Sequence, residues 1–443
     1  MENKNHSFGQ APIGKLLLQQ ALPASVGILV LSIYGIVDTI FVGRYVGSLG
    51  IATITVVLPI SFLISSIGMA IGVGGASIIS RAFGDEDNER AFNTFGNQIG
   101  MTLTLAVFFV GLGYIFSEEI LMLFGGKGDV LEPAKDYFTI ILIGIPFLAW
   151  AMMCNNVIRA EGYPKVAMYT LIVPAVFNIV FDPIFIVWLD MGLKGAAWAT
   201  TISYIASGTY TFWFFVFGKS TMKMKSAWFK PNLKIAYEIV KLGAVTLARQ
   251  GTVSVLAIVL NNELFKYGGE MGLSVYGVIN RVMMFANFPV LGITQGFVPI
   301  AGFNHGAKFH KRVHATIKLA LRSSTIVAFF IFILIISFTG SLVGIFTEDQ
   351  SLIAETIPAM RKIFLATPLL AFSLIGSAYF QAIGKARPAL LLALSKQGIF
   401  LIPLVIIMPA LFGLDGIWFA FPLADTGAAL ISYYFLKRQT KTL

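Results

Sequence analysis

The chain has 443 residues, 57% of them hydrophobic and only 12% charged, with a formal net charge of +10. Soluble domains carry about 25% charged residues, so a water-soluble enzyme or binding domain is excluded and a polytopic membrane protein is expected. A mean hydropathy of +0.81 agrees, and the single cysteine, Cys154, rules out an internal disulfide and a thiolate metal site.

Crossing a bilayer takes about 20 apolar residues. In chain order, spans 1 to 12 are predicted at 13–43, 50–80, 92–116, 133–158, 164–189, 194–217, 236–266, 272–303, 314–346, 354–381, 387–411 and 415–436. Most Lys and Arg fall at the termini and in the even-numbered loops, as at Lys15, Arg81, Arg90, Lys219, Lys234, Lys308, Lys311, Lys385, Lys437 and Arg438. Few lie in the odd loops, so both termini are expected in the cytoplasm by the positive-inside rule. The basic charge is thus accounted for by topology, with no nucleic-acid partner expected.

The chain also repeats. An offset of 222 residues places Phe83-Gly84 on His305-Gly306 and Arg159-Ala160-Glu161-Gly162 on Gln381-Ala382-Ile383-Gly384. A one-residue slip places Gly192 and Gly195 on Gly413 and Gly416. Each copy holds six spans, an even number, so the copies are expected to be parallel and related by an axis along the membrane normal. The expected architecture is all-α: twelve transmembrane helices in two parallel six-helix bundles with pseudo-two-fold symmetry. The lobes are predicted at 1–217 and 236–443, joined by a cytoplasmic linker, 218–235.

Charges within spans mark function, because burying one in hydrocarbon costs several kcal/mol. Span 5 holds Asn178 and Asp182, four apart and on one helix face. Pro183 follows directly; a proline inside a helix removes a backbone bond and bends the axis, freeing a carbonyl near residue 179. Thr200 offers a hydroxyl early in span 6. Asp38 in span 1, about four turns beyond Pro23, is placed to face the same cavity. Two carboxylates, an amide and a hydroxyl make a small all-oxygen site for Na⁺ or for shared protons. The alternative is that each Asp caps a broken helix or hydrogen-bonds its neighbours.

Other polar residues are weaker candidates. Tyr34, one turn before Asp38, is either a ring for stacking on an organic cation or core packing. Gln250, Asn280 and Gln381 are amides for a polar cavity wall or for interhelical bonding, and Met283 and Met284 form an adaptable surface or face lipid. Asp425 is expected to pair with Lys396 or Arg281 as a structural ion pair. Glu161 with Arg159, and Asp85, Glu86 and Asp87 beside Arg90, read as cytoplasmic loop charges. Gly218-Lys219-Ser220-Thr221 lacks the earlier glycine of a phosphate-binding loop, since position 213 is Trp. With no HExxH and no credible GxSxG turn, the chain is expected not to be an enzyme.

Val37-Asp38-Thr39-Ile40-Phe41-Val42-Gly43, Asn178-Ile179-Val180-Phe181-Asp182-Pro183 and Gly192-Leu193-Lys194-Gly195-Ala196-Ala197-Trp198-Ala199-Thr200 together resemble the multidrug and toxic compound extrusion (MATE) family. Gly302-Phe303-Asn304-His305-Gly306-Ala307-Lys308 and Gln381-Ala382-Ile383-Gly384 extend the likeness over essentially all twelve spans. The resemblance implies a cation-coupled antiporter expelling organic cations and amphiphilic drugs by alternating access. Asp38, Asn178, Asp182 and Thr200 would carry the coupling ion, and span 1 would bend near Pro23. Span 10 has no acid beyond Glu355, and span 7 reads Leu247-Ala248-Arg249-Gln250-Gly251-Thr252. These departures from NorM-type members point to the DinF/MepA-like branch and to H⁺ over Na⁺. The resemblance further implies a monomer in the lipid of a bacterial inner membrane, with no cofactor besides the coupling ion. The competing reading is a flippase for lipid-linked sugars or lipids, but Arg249, Arg281 and Lys396 are the only in-span cations to bind a diphosphate.

Overall fold

The computed structural model describes residues 6–223, 228 and 230–440, and among these there is no β-strand. Helix is what this composition dictates: inside a bilayer every backbone N–H and C=O must be satisfied within its own segment. The early spans are Ile13–Tyr45, Ser48–Gly84, Asn88–Ile115, Gly128–Ala160 and Pro164–Trp188. Gly192–Val216 follows, a helix rich in Thr, Ser and Gly. A single assignment, Leu233–Gly306, holds spans 7 and 8, divided at Gly269 by a backbone break at φ 58°, ψ −151°. His310–Ser337, Gln350–Ala382, Ala386–Phe412 and Leu414–Thr440 complete twelve passes. The protein is therefore an all-α, multi-pass membrane protein.

Contacts divide the chain into two compact units. The first comprises Met1–Ser7 with Val26–Gly243, the second Phe8–Ser25 with Ala244–Leu443. These limits differ from the lobes drawn on the sequence in two places. The first unit keeps the opening turns of span 7, and the second takes the opening turns of span 1. Polar contacts explain both. In the first unit Glu238 of span 7 accepts from Arg81 at 2.9 Å and Arg90 at 2.8 Å, while Asn97 accepts from the Asn232 N–H at 2.9 Å. In the second, Arg312 donates to the carbonyls of Phe8 and Ala11 at 2.9 and 2.7 Å, and Asn304 donates to Phe8 at 3.1 Å. Residues 224–227 and 229 of the expected linker lie outside the described residues.

Within the first unit, spans 2 and 4 approach at glycines: a Cβ on Gly68 would stand 2.6 Å from the Ala149 carbonyl, and one on Gly72 2.8 Å from that of Met153. Small residues at such crossings let helix backbones touch where no hydrophobic effect drives them together. The second unit is built on a cluster including Leu256, Leu260, Met360, Val405, Trp418 and Phe421.

The repeat seen in the sequence recurs in the backbone. At the 222-residue offset, Gly47 and Gly269 have φ of 88° and 58°, Glu86 and Lys308 59° and 58°, and Gly162 and Gly384 83° and 81°. With the one-residue slip, Gly192 and Gly413 follow at 53° and 59°. Side-chain bonds repeat too: Asn155 donates to the Ala167 carbonyl at 2.6 Å, and Ser377 to that of Ala389 at 3.0 Å.

Candidate functional site

The site lies in the first unit and begins at a helix irregularity. The helix Pro164–Asp182 gives way at Pro183 to a π-helical stretch, Pro183–Trp188. Pro183 has no N–H to offer the Ile179 carbonyl, and the chain widens there instead of stopping. Asp182, the last residue before the widening, is wholly buried, as is Asn178 one turn earlier. The Asn178 amide donates to Asp182 Oδ1 and to Thr200 Oγ1, each at 3.3 Å, which ties span 5 to span 6. Asp38 arrives from span 1 beside both Asp182 and Asn178. The structure thus brings together all four residues of the expected site: Asp38, Asn178, Asp182 and Thr200.

Three of the site's oxygens have no donor among the described residues: Asp38 Oδ1, Asn178 Oδ1 and Asp182 Oδ2 are all buried and unpaired. An orphaned buried acceptor costs about 1–3 kcal/mol, more when charged. Two adjacent bare carboxylates repel each other, and a shared proton or a cation between them would relieve that repulsion. An all-oxygen donor set of this size suits a hard monovalent cation or a proton and not a thiophilic metal. Among the described residues no group of three or more His, Cys, Asp or Glu is arranged to hold a metal ion.

Tyrosines complete the site, and sequence reasoning missed two of them. Tyr137 of span 4 stands beside Thr200, and Tyr204 of span 6 beside Tyr34 of span 1. Tyr34 therefore belongs to the acid cluster. Tyr204 was findable, one turn beyond Thr200 and on its face. Tyr137 stands in an apolar stretch with no periodic signal. Pro23 lies within the continuous helix Ile13–Tyr45, in the part assigned to the second unit.

The second unit has no copy of this cluster. Positions corresponding to Tyr34, Asp38, Tyr137, Asn178, Asp182 and, with the slip, Thr200 hold Leu256, Leu260, Ala359, Phe400, Leu404 and Phe421. All six belong to or pack on its hydrophobic core. Of the weaker candidates there, Gln250, Asn280 and Met284 are exposed and Met283 packs on that core. Gln381 is buried and donates to Thr246 at 3.3 Å, an interhelical bond. Asp425 pairs with Lys396 at 2.6 Å.

One expectation is corrected. Glu161 is no solvated loop charge: it is 1% exposed and accepts from Ser220, from the Thr221 hydroxyl and N–H, and from the Met222 N–H at 2.9–3.0 Å. Arg159, 3% exposed, donates to Asn155 at 3.0 Å. The chain reverses at Gly162, and the start of the linker folds over the carboxylate, a contact of residues about sixty positions apart. Of the other acids read as loop charges, Asp87 caps span 3 by accepting from the Arg90 N–H at 2.9 Å.

A helical scaffold of twelve passes around a buried polar cluster is that of a membrane transporter, as the family match bears out. The MatE family model matches residues 23–184 and 247–407, and the chain belongs to that family. The multidrug export protein MepA of Staphylococcus aureus strain N315 is 29% identical over 440 residues, covering 98% of this chain and 96% of that one. MepA of Staphylococcus saprophyticus is 28% identical over 439 residues, with the same coverage. An outward-facing multidrug resistance transporter of the MATE family superposes with a TM-score of 0.94 at 24% identity, covering 100% of this chain and 98% of that one.

Proposed function

We propose that the protein is a secondary active antiporter that exports organic cations and amphiphilic drugs in exchange for H⁺ or Na⁺ by alternating access. The observation that carries this reading is the pair of adjacent carboxylates, Asp38 half-buried and Asp182 buried, with three buried acceptor oxygens in the cluster lacking donors. Such a group binds a proton or small cation when it faces one compartment and releases it into the other. Coupling then requires that ion and drug bind antagonistically, so that filling the site favours drug release. Asn178 and Thr200 orient the two acids, and the tyrosines limit the water that reaches them. The export activity named for the MepA relatives supports the choice of cargo. The protein works as a monomer in the plasma membrane, termini in the cytoplasm, with no cofactor beyond the coupling ion and no nucleic-acid partner.

Asp38→Asn and Asp182→Asn should each abolish drug resistance in a transport-deficient host while expression is unchanged. In energised vesicles, wild-type efflux should follow an imposed pH jump, a sodium jump or both, and Asp182→Asn should follow neither. Near-normal efflux by both variants overturns the reading.

A further inference from the structure

The first unit carries a second polar feature, away from the acid cluster. A cavity of about 410 Å³ opens between the first turns of spans 3 and 7, with Asp87, Glu89 and Arg90 on one side and Asn232, Lys234 and Glu238 on the other. Two ties fix its walls. Asn97, 7% exposed, accepts from the Asn232 N–H at 2.9 Å and donates to the Lys230 carbonyl at 3.3 Å. Glu238 is held by Arg81 at 2.9 Å and by Arg90 at 2.8 Å. The opening is therefore part of the fold, not slack between loose segments.

The other charges around it are unspent. Asp87, Glu89 and Lys234 are exposed, and among the described residues none of the three makes an ion pair. Asp87 uses Oδ1 to accept from the Arg90 N–H at 2.9 Å, which leaves Oδ2. Asn232 uses its side-chain oxygen to accept from the N–H groups of Lys234 and Ile235 at 3.0 and 3.2 Å, which leaves its amide to donate. Opposite charges that share a cavity without meeting suit a molecule that carries both signs.

Position narrows the choice. Spans 3 and 7 are predicted to begin at 92 and 236, so the cavity straddles two helix mouths, at the level of lipid headgroups. On the neighbouring face of span 7, Leu233, Tyr237 and Val240 are 85%, 68% and 55% exposed, and their spacing of four and three makes one apolar stripe. An anionic headgroup would meet Asp87, Glu89 and Glu238; a simple cation would meet Arg90 and Lys234. A zwitterion answers both. Quaternary ammonium groups are recognised by aromatic faces, and no aromatic residue lines the cavity among the described residues. Carboxylates accept from N–H instead, and a primary ammonium brings three donors.

We infer that this cavity binds the phosphoethanolamine headgroup of a membrane phospholipid. The ammonium sits on Asp87 and Glu89, the phosphate on Lys234 and the Asn232 amide, and the acyl chains follow Leu233, Tyr237 and Val240. The site is separate from the acid cluster and does not rest on the antiport reading.

The test is lipid retention by the purified full-length protein, read by native mass spectrometry. Equal amounts of dioleoyl lipids with phosphoethanolamine, N,N-dimethylphosphoethanolamine, phosphocholine or phosphoglycerol headgroups are supplied. Retention should fall as methyl groups replace N–H donors, with phosphoethanolamine ahead of phosphocholine by about threefold or more, the scale of a few exposed charge contacts. Lys234→Gln and the double variant Asp87→Asn/Glu89→Gln should each erase that preference. Asparagine caps a helix as well as aspartate does, so span 3 keeps its start. Should the double variant fail to fold, Glu89→Gln alone, at an exposed side chain, should reduce the preference. Equal retention of phosphoethanolamine and phosphocholine lipids, a stronger hold on phosphoglycerol, or an intact preference in the variants overturns the proposal. Excess glycerophosphoethanolamine, the same headgroup without chains, should leave the lipid bound. Displacement by it would assign the cavity to a soluble zwitterion and reject the lipid site.

Discussion

Glu161 shows how far a residue's role depends on partners distant in the chain. Its sequence neighbours, Arg159 and Lys165, mark a charged loop, yet it is enclosed by Ser220, Thr221 and Met222. Burial raises its carboxyl above the ordinary glutamate range, and the bonds from Ser220 and Thr221 act against that rise. A carboxyl held higher in the folded state contributes stability that is present at acid pH and lost as pH rises through the folded value. Removing the side chain is a different matter, because several donors lose their acceptor. Glu161→Ala should cost about 1–3 kcal/mol for each donor left unsatisfied, and Glu161→Gln, which keeps one acceptor oxygen, should cost clearly less. Thermal unfolding in detergent, with proteolysis at the linker as a second probe, would show it; equal melting of all three proteins contradicts the assigned contacts. The polar cluster was more legible than Glu161, since Asp38, Asn178, Asp182 and Thr200 are polar residues in spans with little else polar. Tyr137 was not, because a tyrosine in an apolar helix is usually there for packing.

At the scale of elements, the twelve spans followed from hydropathy, and their irregularities followed from two residue types. Pro183 marked a disturbance in span 5, and the structure shows it as a π-helical widening, Pro183–Trp188. Gly47 and Gly269, at φ 88°, ψ −166° and φ 58°, ψ −151°, sit in a region of backbone space that is essentially glycine's alone. A Cβ meets nothing within 4 Å at either position, so strain and not crowding decides the outcome. Gly47→Ala and Gly269→Ala should therefore each destabilise the purified protein by about 1–3 kcal/mol. Unchanged melting in both variants would show that these turns relax to an ordinary conformation.

For the whole molecule, the distribution of Lys and Arg yields a topology that can be checked directly. An alkaline phosphatase fused after Lys127 should be active, and one fused after Lys230 inactive, if both termini are cytoplasmic; the reverse pattern inverts the assignment. The repeat carried the architecture: two copies of six helices, with matching left-handed residues at Gly162 and Gly384 and matching hydrogen bonds from Asn155 and Ser377. The polar cluster did not stay duplicated. The positions that hold acids and an amide in the first unit hold Leu260, Phe400 and Leu404 in the second, and they pack as core.

What the linear order of residues determined by itself was whatever depends on local composition: the spans, their number, the doubling, and the few buried polar groups worth attention. Those follow from transfer free energies and helical spacing, which need no knowledge of the fold. The tertiary structure brought Asp38 to Asp182 as anticipated and chose Lys396 over Arg281 for Asp425, and it alone placed Tyr137 beside Thr200 and Glu161 under the linker. It also assigned the first turns of spans 1 and 7 to units their sequence positions do not suggest. The physical reason is the same in each case: a hydrogen bond or ion pair acts over about 3 Å, and which side chains come that close is set by how helices pack, not by where they stand in the chain.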